Sequence, residues 1–268
     1  SLGYTVILGE ACGKSHLGYL SGDDELRAST INDMFKRKDI DAIICQNGGY
    51  GTPRIVDKID YEMIKRNPKV FVGFSDITLL LNAIYTKCDI VTYHGPMLTV
   101  DFASTIQDIS INSFLSLATT SDNLIINEDN NFDIKVIKEG IARGTLVGGN
   151  ISLVDVLLSS DYMFDPVGKI LLLEDVGEKN YRLDRMMQKL RLSGTLDKLS
   201  GIIIGGITGE KTPQEGAFEL FSDLLKDYQY PIIFNAPIGH VTPRYTVMIG
   251  SEVIINTNKR TIELINKG

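Results

Sequence analysis

The sequence predicts an α/β protein, with a parallel-sheet amino-terminal domain and a β-rich carboxyl-terminal domain. Three observations carry that expectation. Over the first hundred residues, short apolar runs alternate with longer amphipathic stretches, the pattern of parallel strands joined by helices. Several of those runs end in glycine-rich or polar motifs, and open parallel sheets collect ligands at the carboxyl ends of their strands. The second half is more mixed, with many short alternating segments that suit strands.

Taken in order, residues 4–8 read as a strand, 23–38 as a helix and 42–45 as a buried strand. Strands follow at 69–72 and 90–92, with a helix over 77–86 between them. From 101 to 131 the chain turns polar, rich in Ser, Thr, Asn and Asp, which predicts a surface helix and then a connector. Beyond it, 132–137, 141–147, 170–173, 202–204, 232–234, 253–255 and 261–264 read as strands. Helices are expected over 151–159, 181–192 and 213–227. With no internal repeat, this divides the chain into residues 1–105, a connector at 106–135, and residues 136–268.

Composition narrows the function. The 268 residues are 43% hydrophobic and 23% charged, the balance of an ordinary globular protein. Lysine and arginine number 27 against 34 acidic residues, a net charge of −7. That excess argues against nucleic-acid or anionic-membrane partners, which need clustered cations. Three cysteines, Cys12, Cys45 and Cys88, are an odd number without C-x-x-C spacing, so a reducing compartment fits better than a disulfide framework. The only histidines, His16, His94 and His240, are too few for a histidine-rich metal centre, and no metal or other cofactor is expected. No apolar run approaches the ~20 residues of a membrane span, and no secretory leader opens the sequence.

One motif is a decoy. Gly9-Glu10-Ala11-Cys12-Gly13-Lys14-Ser15 resembles a phosphate-binding loop but has three residues between its glycines where the pattern needs four. The shortfall leaves too few successive N–H groups to wrap a phosphate.

A stronger one follows the apolar strand Val70-Phe71-Val72, where Gly73 permits a tight turn and Ser75 precedes a helix. A serine held at a strand-to-helix turn lies exposed beside free helix N–H groups, which can stabilise an oxyanion as the serine attacks a carbonyl. A plain helix N-cap explains Ser75-Asp76 as well, and the usual elbow has glycine where Ile77 stands. Gly48-Gly49-Tyr50-Gly51 follows another buried strand, either as a flexible turn or as the second half of an oxyanion hole. A base is available in His240, in a loop after the strand at 232–234; His94 is its rival, and His16 a weaker one. Glu174 lies where the buried run Leu171-Leu172-Leu173 opens, placed to orient an imidazole.

Taken together these residues resemble a known family. Gln46-Asn47-Gly48-Gly49-Tyr50-Gly51, Gly73-Phe74-Ser75-Asp76-Ile77-Thr78, Tyr93-His94-Gly95-Pro96-Met97 and Leu146-Val147-Gly148-Gly149-Asn150 are similar to segments of the LD-carboxypeptidases. So are Leu173-Glu174-Asp175-Val176-Gly177-Glu178, Tyr181-Arg182-Leu183-Asp184-Arg185-Met186 and Gly239-His240. Each is weak alone, but the ordered set spans about Gly18 to Gly250 and is specific. The resemblance implies a nucleophile at Ser75, an acid at Glu174 and a base at His240, with oxyanion donors from the backbone of Gly49 and Asp76. It also implies an active site in the cleft between the two domains, no metal, and release of terminal D-alanine from murein tetrapeptides in cytoplasmic wall recycling, often by a homodimer.

Tyr50, Asn150, Arg54 and Arg182 are candidates to contact substrate, the arginines for its free carboxylate, although surface ion pairs explain both arginines equally well. The family's usual first strand and helix have no counterpart before Leu2. A sister branch cleaves acylated aminoacyl-adenylates and confers immunity to microcin C, usually carrying a tryptophan to stack the base; this sequence has none. A non-enzymatic cleft binder is the rival from another class, with Ser75 as a cap.

Overall fold

Helix α1 (Asp24–Lys36) starts where the Asp23 carboxylate accepts the Leu26 N–H at 2.8 Å, a side-chain cap for one of the unpaired N–H groups of a first turn. The computed structural model describes residues 3–102, 108–128, 132–209 and 216–267. After α1 come β1 (Ala42–Ile44), the short α2 (Tyr61–Arg66), β2 (Val70–Gly73), α3 (Thr78–Cys88) and β3 (Thr92–His94). Strands β1, β2 and β3 run parallel.

Next are α4 (Asp108–Thr119), β4 (Leu124–Asn127), β5 (Lys135–Lys138), β6 (Ile141–Asn150), α5 (Ile151–Leu157) and β7 (Ile170–Val176). The chain ends with α6 (Asn180–Leu192), β8 (Gly201–Thr208), α7 (Ala217–Leu225), β9 (Ile232–Phe234), β10 (Val247–Ile249), β11 (Glu252–Asn256) and β12 (Thr261–Ile265).

Two sheets result. The first is four-stranded, in the order β1-β2-β3-β10, and β10 arrives from far along the chain to pair antiparallel with β3, Val247 opposite His94. The second has eight strands, in the order β4-β12-β11-β6-β7-β8-β9-β5. Its centre, β6 to β9, is parallel, and its flanks are antiparallel. Ile170 to Leu173 in β7 and Ile202 to Ile204 in β8 are wholly buried, as the central strands of a parallel layer covered on both faces must be. In β11 and β12 burial alternates residue by residue, the mark of a sheet with one wetter face.

Strand β6 serves both parts of the larger sheet. Residues 141–145 pair antiparallel with β11, and 146–150 pair parallel with β7, which sets Asn150 beside Glu174. Helix α3 joins the two sheets. Leu79, Leu80, Leu81, Ala83 and Ile84 are all buried, and the Asn82 side chain bonds both backbone groups of Gly148 at 2.9 Å. The Thr78 hydroxyl also accepts the Asn150 N–H at 3.1 Å. The helix that begins just after Ser75 is thereby fastened to the strand end beside Glu174.

One expected element is absent. Residues 4–8 form no strand, and Tyr4, Val6 and Leu8 are 65%, 74% and 70% exposed. An apolar run becomes a strand only against a partner, and among the described residues nothing pairs with the outer edge of β1. The helix expected over 213–227 is described only from Ala217; 213–215 lie outside the described residues. Strand β4 falls inside the predicted connector, and α2 and β10 were not foreseen. Among the described residues no helix is long and apolar enough to cross a membrane.

Candidate active site

Strand β2 delivers Phe74 in an extended conformation, and Ser75 then turns at φ 62° into a 3-10 turn that leads to α3. A residue with a Cβ pays about 1–2 kcal/mol to adopt that left-handed conformation. Ser75 is the first residue of that turn and Phe74 holds its N-cap position, while Ile77 holds that of α3, so the plain N-cap alternative is not what the geometry shows.

The surroundings hold the turn. The buried Asp76 carboxylate accepts the Thr52 N–H at 2.9 Å, and the Thr52 hydroxyl donates to the Asp76 carbonyl at 2.7 Å. Burial raises the Asp76 carboxyl above its ordinary range, against the pull of the Thr52 bonds and of the Arg27 charge. Arg27 in turn donates to the Gly51 carbonyl at 3.1 Å. The glycine loop and the serine turn are therefore clamped to one another.

Gly48 lies directly against the serine. A Cβ there would stand 3.0 Å from the Ser75 Cβ and 3.2 Å from its Oγ, closer than most side chains allow, so any larger residue would crowd the hydroxyl. Gly49 follows at φ 88°. The Asp76 N–H heads the 3-10 turn, where the first N–H groups have no acceptor within the turn. Tyr50 is exposed, its ring 6.2 Å from that of Tyr19.

Glu174 and His240 meet. Glu174, in β7, is wholly buried, and its Oε2 faces His240 Nδ1 at 2.6 Å while also accepting the His240 backbone N–H at 3.1 Å. Gly239 takes φ 89°, and a side chain on it would run into that carboxylate. Burial alone would raise the Glu174 carboxyl; the bond and charge of His240, with a contribution from His94, outweigh it and hold the group well below the usual carboxylate range. The imidazole of His240 is 18% exposed, and Nδ1 is the nitrogen given to Glu174, which leaves Nε2 for chemistry. His94, the rival base, is 2% exposed and directs Nε2 inward at Glu174 Oε1, 3.7 Å away. His16 lies elsewhere, in a turn bridged to Leu20.

Three participants escaped sequence reasoning. Phe74 carries the His240 ring edge-on at 4.9 Å between centroids and the Arg244 guanidinium at 4.4 Å. Arg244 is 7% exposed, pairs with Asp101 at 3.4 Å and leaves Nη1 buried without a hydrogen-bond partner. Asp175 accepts the Ser152 hydroxyl at 2.8 Å and the Val176 N–H at 2.7 Å. Burial, then the adjacent Glu174 charge, raises its carboxyl to about 6. Only Asp175 had a visible signal, as the second carboxylate of a buried strand exit.

The other substrate-contact candidates divide. Asn150 is buried at the end of β6, in register with Glu174. Arg54 is held by Asp24 through two bonds of 2.8 Å, and Arg182 is exposed beside Glu178 at 3.5 Å. Among the described residues no three His, Cys, Asp or Glu side chains converge as metal ligands.

Comparison with known proteins adds independent findings. The LD-carboxypeptidase N-terminal domain matches residues 1–95, and the LD-carboxypeptidase C-terminal domain matches residues 143–255. A probable murein peptide carboxypeptidase of Bacillus subtilis is 34% identical over 265 residues, covering 97% of this chain and 82% of that protein. Among solved structures, the microcin C7 self-immunity protein MccF superposes with a TM-score of 0.87 at 25% identity, covering 97% of this chain and 85% of its own. The muramoyltetrapeptide carboxypeptidase of Oxalobacter formigenes gives a TM-score of 0.80 at 25% identity, covering 91% and 84%.

Proposed function

The chain belongs to the LD-carboxypeptidase family, and on that premise we propose that it is a serine-type carboxypeptidase releasing the terminal D-alanine of murein tetrapeptides during cytoplasmic cell-wall recycling. The observation that carries the reading is the 2.6 Å contact between the wholly buried Glu174 carboxylate and His240 Nδ1, with the ring of Phe74, the residue before Ser75, packed edge-on against the imidazole.

The chemistry follows from those positions. His240 Nε2 takes the Ser75 proton as Oγ attacks the L,D-peptide carbonyl. Glu174 keeps the imidazole in the tautomer that presents Nε2 as acceptor, and stabilises the cation once the proton arrives. The Gly49 and Asp76 N–H groups meet the oxyanion of the tetrahedral intermediate. The cation then protonates the departing D-alanine amine, leaving an acyl ester on Ser75, which water hydrolyses by the same proton route in reverse. Tyr50, exposed on the glycine loop, is free to contact the peptide, whereas Asn150 is buried beside Asp175.

The likeness to MccF favours a second reading, cleavage of an acylated aminoacyl-adenylate at the same serine. The chain has no tryptophan with which to stack a nucleobase, which ranks this reading second. Purified protein given murein tetrapeptide, and separately an aminoacyl-adenylate analogue, decides by mass spectrometry of the products. D-alanine and tripeptide are expected; turnover of the adenylate alone would overturn the assignment.

A further inference from the structure

Glu174 has a second oxygen that the proposed triad leaves unused. Oε1 is buried without a hydrogen-bond partner, and so is His94 Nε2, 3.7 Å away. Each would be an unsatisfied polar atom in an interior that rarely tolerates one. They are also complementary: an imidazole Nε2–H donates and a carboxylate oxygen accepts.

The surroundings keep the ring in place. His94 is 2% exposed at the end of β3, in register with Val247 of β10 and Gly73 of β2. Its ring lies 5.9 Å from that of Phe74, and a Cβ on Gly149 would stand 3.2 Å from its Cδ2. Closing 3.7 Å to the ordinary ~2.9 Å asks for less than about 1 Å of side-chain movement.

We infer that His94 is a positioning residue: its Nε2–H donates to Glu174 Oε1 and fixes the rotation of the carboxylate that aligns His240. The inference rests on the proposed function. The carboxylate then has one imidazole on each oxygen, His94 on Oε1 and His240 on Oε2. Without His94, the carboxylate can turn about its last side-chain bond, and the bond to His240 loses its alignment. The charged and titratable groups around Glu174 are His94, His240, the neighbouring Asp175, and Arg244, whose charge also acts on it. His94 is one of the groups that hold the Glu174 carboxyl down, so losing its donor raises the proton affinity of Glu174.

The test compares His94→Gln, which keeps an N–H within reach, with His94→Phe, which keeps the ring volume but has no donor. In the full chain, His94→Gln should retain near wild-type kcat on the tetrapeptide. His94→Phe should lose about 10²-fold in kcat with KM little changed, the order expected when a catalytic group is misaligned, and its acid limb should move to higher pH. A folded His94→Phe protein with wild-type kcat and pH profile overturns the inference. So does a His94→Gln protein impaired as deeply as His94→Phe; if His94→Phe does not fold, a folded His94→Gln protein that loses about 10²-fold in kcat overturns it alone. The rate at which a fluorophosphonate labels Ser75 is measured in parallel, because it requires no peptide. Wild-type protein that is labelled but inert on tetrapeptide would overturn the proposed substrate, and the His94 comparison is then read from labelling.

Discussion

Replacing Glu174 by Gln removes one charge from the interior and changes almost no volume. Oε2 now accepts both the His240 backbone N–H at 3.1 Å and Nδ1 at 2.6 Å, and the amide oxygen of Gln can still accept both. What is lost is the attraction between a carboxylate and the imidazolium formed when Ser75 is deprotonated; the amide nitrogen replaces Oε1, and His94 must face it in the tautomer that accepts at Nε2. With the ring charge roughly 4 Å from the carboxylate and an effective dielectric constant of about 20, that attraction is on the order of 4 kcal/mol. At 1.36 kcal/mol per decade, it amounts to about 10³-fold in rate. Because the cation exists only after proton transfer, the loss should fall on kcat, with KM nearly unchanged. Folding should survive, since a neutral amide costs less to bury than an ion. The assay is D-alanine release under saturating tetrapeptide, with circular dichroism and thermal melting on the same samples. A folded Glu174→Gln protein within tenfold of wild-type kcat would refute the electrostatic argument.

Other expectations follow from the same geometry. Ser75→Ala should abolish turnover without a loss of stability, since Ser75 does not hold a helix-capping position; Ser75→Gly, also inactive, should gain up to about 1 kcal/mol in denaturant unfolding by relieving the left-handed strain at φ 62°. An active Ser75→Ala protein would remove the serine from the mechanism. Asp175 is raised from an ordinary 3.8 to about 6, so the native state holds its proton more tightly than the unfolded chain, and stability falls as pH rises through that window. Across it the wild type should lose about 3 kcal/mol relative to Asp175→Asn; parallel unfolding curves at pH 4 and pH 7 would refute this. Activity should persist after dialysis against a chelator and should not respond to ATP. The Gly9–Ser15 segment is neither preceded by a strand nor followed directly by a helix, and loss of D-alanine release restored by zinc, or strict ATP dependence, would be the contrary result.

Much of this protein was legible before any coordinates. Val70-Phe71-Val72-Gly73 and Leu171-Leu172-Leu173 announce buried strands because a run of apolar side chains has no stable place except between two layers. The residues after those runs, Ser75 and Glu174, are marked by the same logic, since a polar group at the mouth of a buried strand must have a partner. Residues 4–8 misled because an apolar run specifies a need for burial but not the strand that meets it. The pairing of β10 with β3 was invisible, because Val247 and His94, paired in the sheet ladder, stand 153 positions apart in the sequence. Which imidazole faces which oxygen of Glu174 was equally invisible. Both follow strands or end them, and only the folded chain reveals that one presents Nδ1 to Glu174 Oε2 at a partly exposed site while the other is sealed beneath Oε1. Sequence by itself determined which residues had to be inside and which polar groups they carried there. The tertiary structure decided which of those groups face one another, because hydrogen bonding and charge act over a few ångströms of space, and the order of residues along a chain does not set those distances.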